Sequence, residues 1–493
     1  MQTSIITGKE SVFVGREKEL EKLEELYAKG DFQMVVLYGR RRVGKTTLAR
    51  EFACGKNVLY FTALEQSDRD NLADFTRKLM GFFDLPTLSG SFSGWAEALG
   101  FFADRAGEGY AVLVFDEFPY AAERNRSLPS ILQMVIDHRL KDTNAFVILC
   151  GSNQGFMEGE VLGNKSPLYG RRTAQMRLAP LGYREAALML PGLGAQEAFR
   201  YYACFGGVPY YLSLIDPALP LRENLSQLYF DTAGFLYDEP FALLRQELFE
   251  PASYNSILRA IAGGANRQAR IADRTGIPTT SLPRYLTTLC TLGMIRRAVP
   301  FGENVQTSRR GIYVIDDACY AFWYRFVMPR VSDIEAGLGE VAARSIPDQQ
   351  LDGYCGHRFE GMCAEWMSEQ VLRGSLPISA TSVGSWWGTD PKAREQTDID
   401  VLAADRSAKT LILGECKYRG SFDEVAEVED LRSKRQLVPG YTAEGYFLFI
   451  HQARGCGVHR EEVRGRGRGP VRDARRDVRS PVSSPAALGR RPV

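Results

Sequence analysis

The chain has 493 residues, of which 45% are hydrophobic and 25% are charged, as is typical of globular proteins. This length exceeds one ordinary hydrophobic core and indicates about three domains of roughly 100 to 200 residues each. No apolar run approaches the roughly 18 residues of a membrane span, the N-terminus lacks the pattern of a signal peptide, and nine cysteines occur without a CxxC pair, so we expect a cytoplasmic protein with no membrane partner.

The net charge of +1 conceals a basic C-terminal segment. Residues 451–493 contain 11 Arg, no Lys, four acidic residues and no aromatic residue, whereas the preceding 450 residues carry 50 basic and 56 acidic side chains. Too little apolar surface is present to offset the entropy of ordering, so we expect a disordered tail. The abrupt change in composition favours frameshifted translation of a GC-rich gene, with loss of later strands, over a basic nucleic-acid-binding tail.

A phosphate-binding loop is the first motif along the chain. "MVVLYGRRRVGKTTLAREF" predicts a buried strand, a GxxxxGKT loop and an amphipathic helix, which is the context that this motif requires. Backbone amides of the loop would face the phosphates of ATP, Lys45 would reach the terminal phosphates, and Thr46 would offer its hydroxyl to Mg²⁺. The predicted cofactor-binding residues of this loop are Gly39, Arg40, Arg41, Arg42, Val43, Gly44, Lys45, Thr46 and Thr47.

Two further apolar strands end in polar residues. "YAVLVFDEFPY" closes in Asp116, suited to positioning Mg²⁺, and Glu117, suited to polarising the attacking water. "AFVILCGSN" ends in Ser152 and Asn153, which either sense the terminal phosphate or form an ordinary helix cap. Helical stretches separate these strands, so the sequence predicts a doubly wound parallel sheet with its site at the carboxyl ends of the strands.

Residues 10 to 330 resemble the archaeal-type ATPases of the AAA+/STAND class of P-loop NTPases. The resemblance rests on the P-loop together with "FVGREKELEKLEEL", "VFDEFPY", "LCGSN", "PLYGRRTAQMRLAPL" and "CFGGVPYYL". It implies that "FVGRE" lies near the adenine and that Pro209 contacts the base. It also implies that Arg171 or Arg172 faces a phosphate, in cis or across a contact in a homo-oligomer, although the residues alone are equally compatible with a solvated turn.

Residues 254–298 predict three helices, with a turn at Gly276 between the second and third, and a hairpin follows. This order is typical of a winged helix-turn-helix. Pro283 is tolerated only in the first turn of a helix, which places the start of the third helix near Ser281. Thr279, Thr280 and Arg284 would then face DNA bases, and Arg309 and Arg310 would lie near phosphates. A packing role for this module is the alternative, because its basic density is modest.

The C-terminal region predicts a helix that starts at "HRFEGMCAEWMSEQVL" and two strands joined by the turn "ADRSAK". Asp400 on the first strand and Glu415 on the second would approach each other and supply hard oxygen ligands for Mg²⁺. Leu411, Leu413, Glu415 and Lys417 share one face of "LILGECKY", so Lys417 would lie close enough to steady a scissile phosphate. A structural ion pair between Glu415 and Lys417 is the alternative.

Asp400 with Glu415-x-Lys417 is similar to the PD-(D/E)xK motif of the restriction-endonuclease-like superfamily, in which Glu360 matches the acid borne on a helix. The proline of the motif is replaced by Ile399. The resemblance implies a metal-dependent nuclease site, either active or relic, and its catalytic residues would be Asp400, Glu415 and Lys417, with Glu360 as a further metal ligand.

The predicted fold is α/β. A P-loop NTPase sheet with a helical lid (1–245) precedes a winged helix-turn-helix (250–330), a linker (331–350), a nuclease-like α/β domain (351–450) and the tail (451–493). We expect ATP hydrolysis by Lys45, Asp116 and Glu117, with Asn153 and Arg171 assisting, to be coupled to a DNA-binding and nuclease-like module. The alternatives are a STAND-type signalling switch with slow ATP turnover and an inactive, partner-binding C-terminal domain, or a DNA-binding regulator.

Overall fold

The computed structural model describes residues 13–86, 91–106, 110–418, 422–452 and 455–461. These residues divide into two compact units. The first unit is drawn from Met1–Leu181 and Val208–Ser213, and the second from Gly182–Gly207 and Leu214–Val493. Among the described residues, no helix combines the length and the apolar content that are needed to cross a lipid bilayer.

The first unit contains a five-stranded parallel sheet with the strand order β2-β3-β4-β1-β5. Apolar runs such as "QMVVLY" are buried along their whole length because separate apolar clusters cover the two faces of the sheet. The predicted doubly wound parallel sheet is therefore confirmed. Its elements are α1 (Glu17–Tyr27), β1 (Gln33–Tyr38), α2 (Lys45–Ala53), β2 (Val58–Thr62), α3 (Asp68–Phe82), α4 (Trp95–Ala106), β3 (Val112–Asp116), α5 (Phe118–Arg124), α6 (Leu128–Val135), β4 (Phe146–Gly151), α7 (Gln154–Phe156) and β5 (Ala174–Arg177).

Helices follow the sheet: α8 (Tyr183–Leu188), α9 (Ala195–Phe205), α10 (Pro209–Ser213), α11 (Leu221–Tyr229) and α12 (Phe235–Glu247). Only α10 groups with the first unit, whereas the other four group with the second. The two compact units thus divide at Leu181 rather than at the predicted ATPase boundary of residue 245, which stays a prediction. Apolar residues of α9 such as Phe199 and Ala203 pack into a core of the second unit. The sequence pattern of α9 shows that the helix has an apolar face but not which unit that face packs against.

The predicted winged helix-turn-helix is confirmed. It consists of α13 (Pro251–Ala262), α14 (Gln268–Thr275), α15 (Leu282–Thr291) and the antiparallel strands β6 (Ile295–Ala298) and β7 (Ile312–Ile315). Gly276 ends α14 in the left-handed conformation, with φ of 69°. Ser281 precedes the first residue of α15 and Pro283 lies in its first turn, as the restriction on proline predicts.

The segment 331–350, predicted to be a linker, is largely helical. After α16 (Ala318–Phe322) and a π-helical turn (Trp323–Val327), the chain forms α17 (Val331–Asp333), a second π-helical turn (Ile334–Leu338) and α18 (Gly339–Arg344). Ile334 and Ile346 are only 2% and 3% exposed, and Ala342 and Ala343 between them are also buried, so apolar side chains anchor this segment.

The C-terminal sheet has the strand order β12-β11-β10-β9-β8. Strands β10 and β11 are parallel, and the other neighbouring strands are antiparallel. Along the chain, a helix is followed by three strands, a second helix and two further strands. The elements are α19 (Asp348–Arg373), β8 (Ser382–Thr389), β9 (Gln396–Asp405), β10 (Thr410–Lys417), α20 (Glu424–Ser433), β11 (Thr442–Gln452) and β12 (Gly455–Glu461).

Two predictions for this region need correction. Helix α19 begins at Asp348, so Glu360 lies at mid-helix rather than near its start. Strand β12 lies inside the predicted disordered tail, and it pairs with β11 because an edge strand gains backbone hydrogen bonds without needing aromatic side chains. The prediction of lost later strands is thus wrong for 455–461, whereas residues 453–454 and 462–493 lie outside the described residues.

Candidate functional site

The phosphate-binding loop runs between β1 and α2, and its backbone requires glycine at positions 39 and 44. A Cβ atom on Gly39 would lie 2.4 Å from the carbonyl oxygen of Leu178, too close for any side chain. Gly44 precedes α2 in the left-handed conformation, with φ of 92°. The loop therefore brings backbone amides to the N-terminus of a helix, which is a favourable position for phosphate groups.

Lys45 and Thr46 begin α2 and point their polar atoms toward the loop and the sheet. The Lys45 ammonium donates to the carbonyl oxygens of Gly39 and Arg40, each at 2.9 Å. The Thr46 hydroxyl donates to Oδ2 of Asp116 at 3.1 Å. Hydroxyl and carboxylate oxygens thus lie together beside the loop, which is the hard-oxygen environment that suits Mg²⁺. Thr47 is exposed in the next position of the helix.

The two acids at the end of β3 are held separately. Asp116 is 2% exposed, and its Oδ1 accepts a hydrogen bond from the backbone N–H of Glu117 at 3.1 Å. Glu117 adopts the left-handed conformation, with φ of 51°. Its Oε2 accepts from the backbone N–H of Ser152 at 3.1 Å and from the Ser152 hydroxyl at 2.8 Å. The end of β4 therefore fixes one carboxylate oxygen of Glu117.

Asn153 serves as a helix cap, which is the second of the two roles that its sequence position allows. Its Oδ1 accepts from the backbone N–H of Phe156, and its amide donates to Glu123 at 3.1 Å. Of the two polar residues after β4, Ser152 is therefore the one that contacts Glu117.

Each arginine of the phosphate-binding loop contacts a tyrosine. Arg40 donates to the Tyr211 hydroxyl at 3.5 Å and Arg41 to the Tyr120 hydroxyl at 2.7 Å, while the Arg42 guanidinium lies 5.1 Å from the centre of the Tyr210 ring. Helix α10 supplies Tyr210, Tyr211 and Pro209, and a Cβ on Gly44 would lie 4.0 Å from Pro209. The predicted base-contacting proline thus lies beside the loop.

Arg171 lies away from the phosphate-binding loop of its own chain. Thr173 donates from its backbone N–H to the carbonyl of Met34 at 2.8 Å, at the beginning of β1. Gly39 follows five residues later, about 16 Å along an extended strand. The Arg171 guanidinium is bound to both carboxylate oxygens of Asp137 at 3.0 and 2.8 Å, and this bond lowers the pKa of Asp137.

The placement of Arg171 therefore favours a phosphate contact across subunits over one in cis, and both stay predictions. Arg172, the alternative residue, donates to the carbonyl of Leu162 at 3.2 Å. The motif "GRR" cannot reveal this placement, because the end of the sheet at which it lies depends on the register of β5 against β1.

In the C-terminal domain, Glu415 and Lys417 lie on the predicted shared face of β10. Leu411 and Leu413 begin this face and pack with Leu431 of α20. Lys417 Nζ lies 2.8 Å from Oε1 of Glu415. The ion pair named as the structural alternative therefore exists.

Helix α20 and the turn after it add charges to this pair. Lys417 also contacts Glu427 at 2.9 Å, and the buried Lys434 lies 2.9 Å from Asp430 and 3.6 Å from Glu415. Burial opposes the charge on Lys417, yet the bonds to Glu415 and Glu427 raise its pKa overall. The result is a continuous network of alternating charges.

Asp400 lies beside this network on β9. Val401 pairs with Gly414, so Asp400 and Glu415 follow on adjacent strands, and the backbone N–H of Cys416 donates to Oδ2 of Asp400 at 2.7 Å. Burial, followed by the charges of Glu415 and Glu360, raises the pKa of Asp400 to about 7. The three predicted acids therefore influence one another electrostatically.

The acids do not form a ready metal centre. Within the ranges that the structure describes, no three His, Cys, Asp or Glu side chains are grouped closely enough to hold a metal ion. Glu360 instead contacts Nδ1 of His357 at 3.3 Å, and this contact raises the pKa of His357. Carboxylates of this type suit Mg²⁺, but they would have to converge to bind it.

The winged helix exposes part of its predicted DNA-facing surface. Thr279, Thr280, Arg284 and Arg309 are exposed. Arg310, however, contacts Glu303 and donates to the carbonyl of Trp387 on β8 at 3.0 Å. These contacts between the wing and the C-terminal sheet make Arg310 less available to DNA than the exposed Arg284, and its contact with a phosphate stays a prediction.

Several neighbours of the predicted residues were missed from the sequence, namely Tyr60, His357, Glu427 and Lys434. Tyr60 lies in "VLYFT", a short apolar run in which nothing marks its hydroxyl as functional. Glu427 and Lys434 lie in a charged segment whose pattern predicts a solvent-exposed helix. Only the spacing of His357 and Glu360, three residues apart on a helix, offered a local signal.

Family models match three parts of the chain. An ATPase domain predominantly from Archaea matches residues 13–215, an IclR helix-turn-helix domain matches residues 256–298, and a family of archaeal and bacterial proteins of unknown function matches residues 323–429.

Individual proteins also match. An uncharacterised protein of Methanocaldococcus jannaschii is 31% identical over 441 residues, covering 89% of this chain and 95% of the relative. An uncharacterised ATP-binding protein of the same organism is 45% identical over 47 residues, covering 10% of this chain and 80% of that protein. The structure of a Walker-type ATPase of Pyrococcus abyssi is 21% identical and aligns with a TM-score of 0.48, covering 64% of this chain and 96% of that one.

Proposed function

Because the chain belongs to the family of P-loop ATPases found predominantly in Archaea, we propose that it binds ATP with Mg²⁺ and couples hydrolysis to a DNA-binding and nuclease-like module. The observation that carries the ATP site is the contact between Thr46 and Asp116, which joins the phosphate-binding loop to the acid at the end of β3. Two motifs that lie 70 residues apart in the sequence thereby form one site.

Each residue of this site has a role that its position supports. Lys45 would exchange its loop carbonyls for the terminal phosphate oxygens of ATP, because its hydrogen bond to an anionic oxygen is stronger than one to a neutral carbonyl. Thr46 and Asp116 would hold Mg²⁺, which neutralises charge on the phosphates when bound. Glu117 would accept a proton from the attacking water through Oε1, because Ser152 contacts only Oε2.

The C-terminal domain supports the nuclease-like part of the proposal through its strand order and its acids. A helix, three antiparallel strands, a second helix and a parallel strand place Asp400 beside Glu415, with Glu360 on the first helix. We propose that Asp400, Glu415 and Glu360 converge on Mg²⁺ when DNA binds, and that Lys417 then contacts the scissile phosphate.

DNA would reach this domain through the winged helix. Arg284 and the exposed threonines before α15 form a polar surface at the start of the third helix, where such modules contact bases. The wing is joined to β8 by the backbone hydrogen bond from Phe301 to Ser385 at 2.8 Å. A duplex bound by α15 would therefore be held in a defined orientation to the C-terminal sheet.

A second candidate function is a nucleotide-controlled switch whose C-terminal domain binds a partner without cutting DNA. The observation that favours it is the charge network: Lys417 and Lys434 already neutralise Glu415, and the described acids form no ready metal centre. In this case nucleotide turnover would be slow and independent of DNA.

One experiment separates the two functions. ATP hydrolysis is measured with and without duplex DNA and Mg²⁺, and the integrity of the DNA is followed in the same samples. We expect Lys45→Ala to abolish turnover, and we expect Asp400→Ala to abolish cleavage while leaving ATP binding intact. Unchanged turnover in Lys45→Ala would remove the ATPase proposal, and intact DNA with wild-type protein would favour the switch.

A further inference from the structure

Asp116 has a hydrogen-bond donor on the neighbouring strand that the P-loop motif does not include. Tyr60 lies on β2, and its hydroxyl donates to Oδ2 of Asp116 at 2.9 Å. This is the same oxygen that accepts from Thr46, whereas Oδ1 accepts from the backbone of Glu117. Since Asp116 is 2% exposed, its orientation depends on these donors rather than on water.

Tyr60 is itself held in place. Strand β2 pairs in parallel with β3, so that Tyr60 aligns with Val114 and Thr62 aligns with Asp116. The guanidinium of Arg50, on α2, lies 5.7 Å from the centre of the Tyr60 ring. A phenol is protonated at neutral pH, so the Tyr60 hydroxyl is the donor and the Asp116 carboxylate the acceptor of this hydrogen bond.

We propose that Tyr60 is a positioning residue that orients Asp116 toward the Mg²⁺ of the bound nucleotide. This inference rests on the proposed binding of ATP with Mg²⁺. Thr46 belongs to the phosphate-binding loop and would contact the metal directly. Tyr60 lies on a different strand and donates to Asp116, so we assign its effect on the metal to the orientation of that carboxylate.

The test removes one oxygen atom from the full-length protein. In Tyr60→Phe the ring remains, while the hydrogen bond to a charged group is lost. Binding of a fluorescent ATP analogue is titrated in EDTA and at increasing Mg²⁺, and metal binding to the nucleotide complex is counted with Mn²⁺ by electron paramagnetic resonance. We expect the metal concentration for half-saturation to rise about tenfold, with nucleotide affinity in EDTA unchanged.

A matched control is Tyr110→Phe, because the Tyr110 hydroxyl, like that of Tyr60, donates a partly buried hydrogen bond, here to the carbonyl of Tyr27 in the same unit. We expect this variant to retain the wild-type metal dependence. Equal metal dependence in Tyr60→Phe and wild type would overturn the inference, and so would an equal change in both variants.

A second test with two unnatural residues at position 60 applies even if Tyr60→Phe fails to fold. p-Aminophenylalanine keeps a donor at the place of the hydroxyl, whereas p-methylphenylalanine fills the same volume without one. We expect only the amino form to retain wild-type metal binding, and equal behaviour of the two would overturn the inference. Wild-type protein that binds no nucleotide would overturn the proposed function as well, whereas wild type with metal-dependent binding that all variants retain would overturn the role of Tyr60 alone.

Discussion

Replacing Asp400 with Asn is expected to stabilise the C-terminal sheet at high pH. In the folded protein, burial and the charges of Glu415 and Glu360 raise the pKa of Asp400 from 3.8 to about 7. At pH 8 this carboxylate is ionised at a place that disfavours its charge, whereas Asn carries no charge and can still accept the hydrogen bond from Cys416.

The magnitude follows from the shift. A rise of about 3 pKa units corresponds to about 4 kcal/mol at about 1.4 kcal/mol per unit, as an upper limit. Because the folded pKa of Asp400 is raised, the folded state binds the proton more tightly than the unfolded state. The associated stability is fully present below about pH 4 and is lost as pH rises to about 7. Asp400→Asn should therefore match wild type near pH 4 and exceed it by up to about 4 kcal/mol at pH 8.

Hydrogen exchange of the full-length protein, read by mass spectrometry on peptides from β9 and β10, measures the local free energy of opening at each pH. Asp398→Asn is the matched control, since it removes the same charge from an exposed position on the same strand; Asp398 raises the pKa of Asp400 less than burial, Glu415 and Glu360 do, so its gain should be smaller. A pH-independent difference between Asp400→Asn and wild type, or an equal gain in Asp398→Asn, would refute the assigned environment of Asp400. Saturating Mg²⁺ should reverse the order of stabilities if the acids bind the metal.

Three further outcomes are expected. Ser152→Ala should lower kcat for ATP hydrolysis about tenfold with KM unchanged, because Glu117 loses one of its two hydrogen bonds. Ser152→Thr should restore kcat, and a change confined to KM in steady-state assays would contradict this prediction. Arg171→Ala should change the turnover of monomeric protein by less than about twofold, because its guanidinium lies away from the loop of its own chain; a large loss at protein concentrations where the chain is monomeric would contradict this. In fluorescence anisotropy with duplex DNA, Arg284→Ala should weaken binding about tenfold and Arg310→Ala by less than about twofold; equal losses would contradict the different placement of the two side chains.

Most of the fold follows from local patterns. Runs such as "AVLVF" predict strands buried on both faces, and β3 has that burial. The start of α15 follows from the fixed φ of Pro283. Misassigned segments have mixed local signals: Gly337, Gly339 and Pro347 interrupt the apolar spacing of 331–350, and the start of α19 lacks a marked helix-capping residue.

The candidate sites divide in the same way. Lys45 and Thr46 lie next to each other in a contiguous motif, so their role depends on local backbone geometry that glycine spacing determines. Asp116 and Glu415 were predicted because charged residues that end or interrupt buried strands have few structural reasons to be there.

Local sequence patterns are sufficient for the phosphate-binding loop, the acids that end or interrupt buried strands, and the helix-turn-helix, because short-range spacing and hydrophobic periodicity dictate each of them. Three placements could not be predicted in this way: Tyr60 contacts Asp116, Lys434 lies beside Glu415, and Arg171 lies at the far end of the sheet. These placements depend on strand order, register and the packing of distant segments, and one chain's local pattern is compatible with many such pairings.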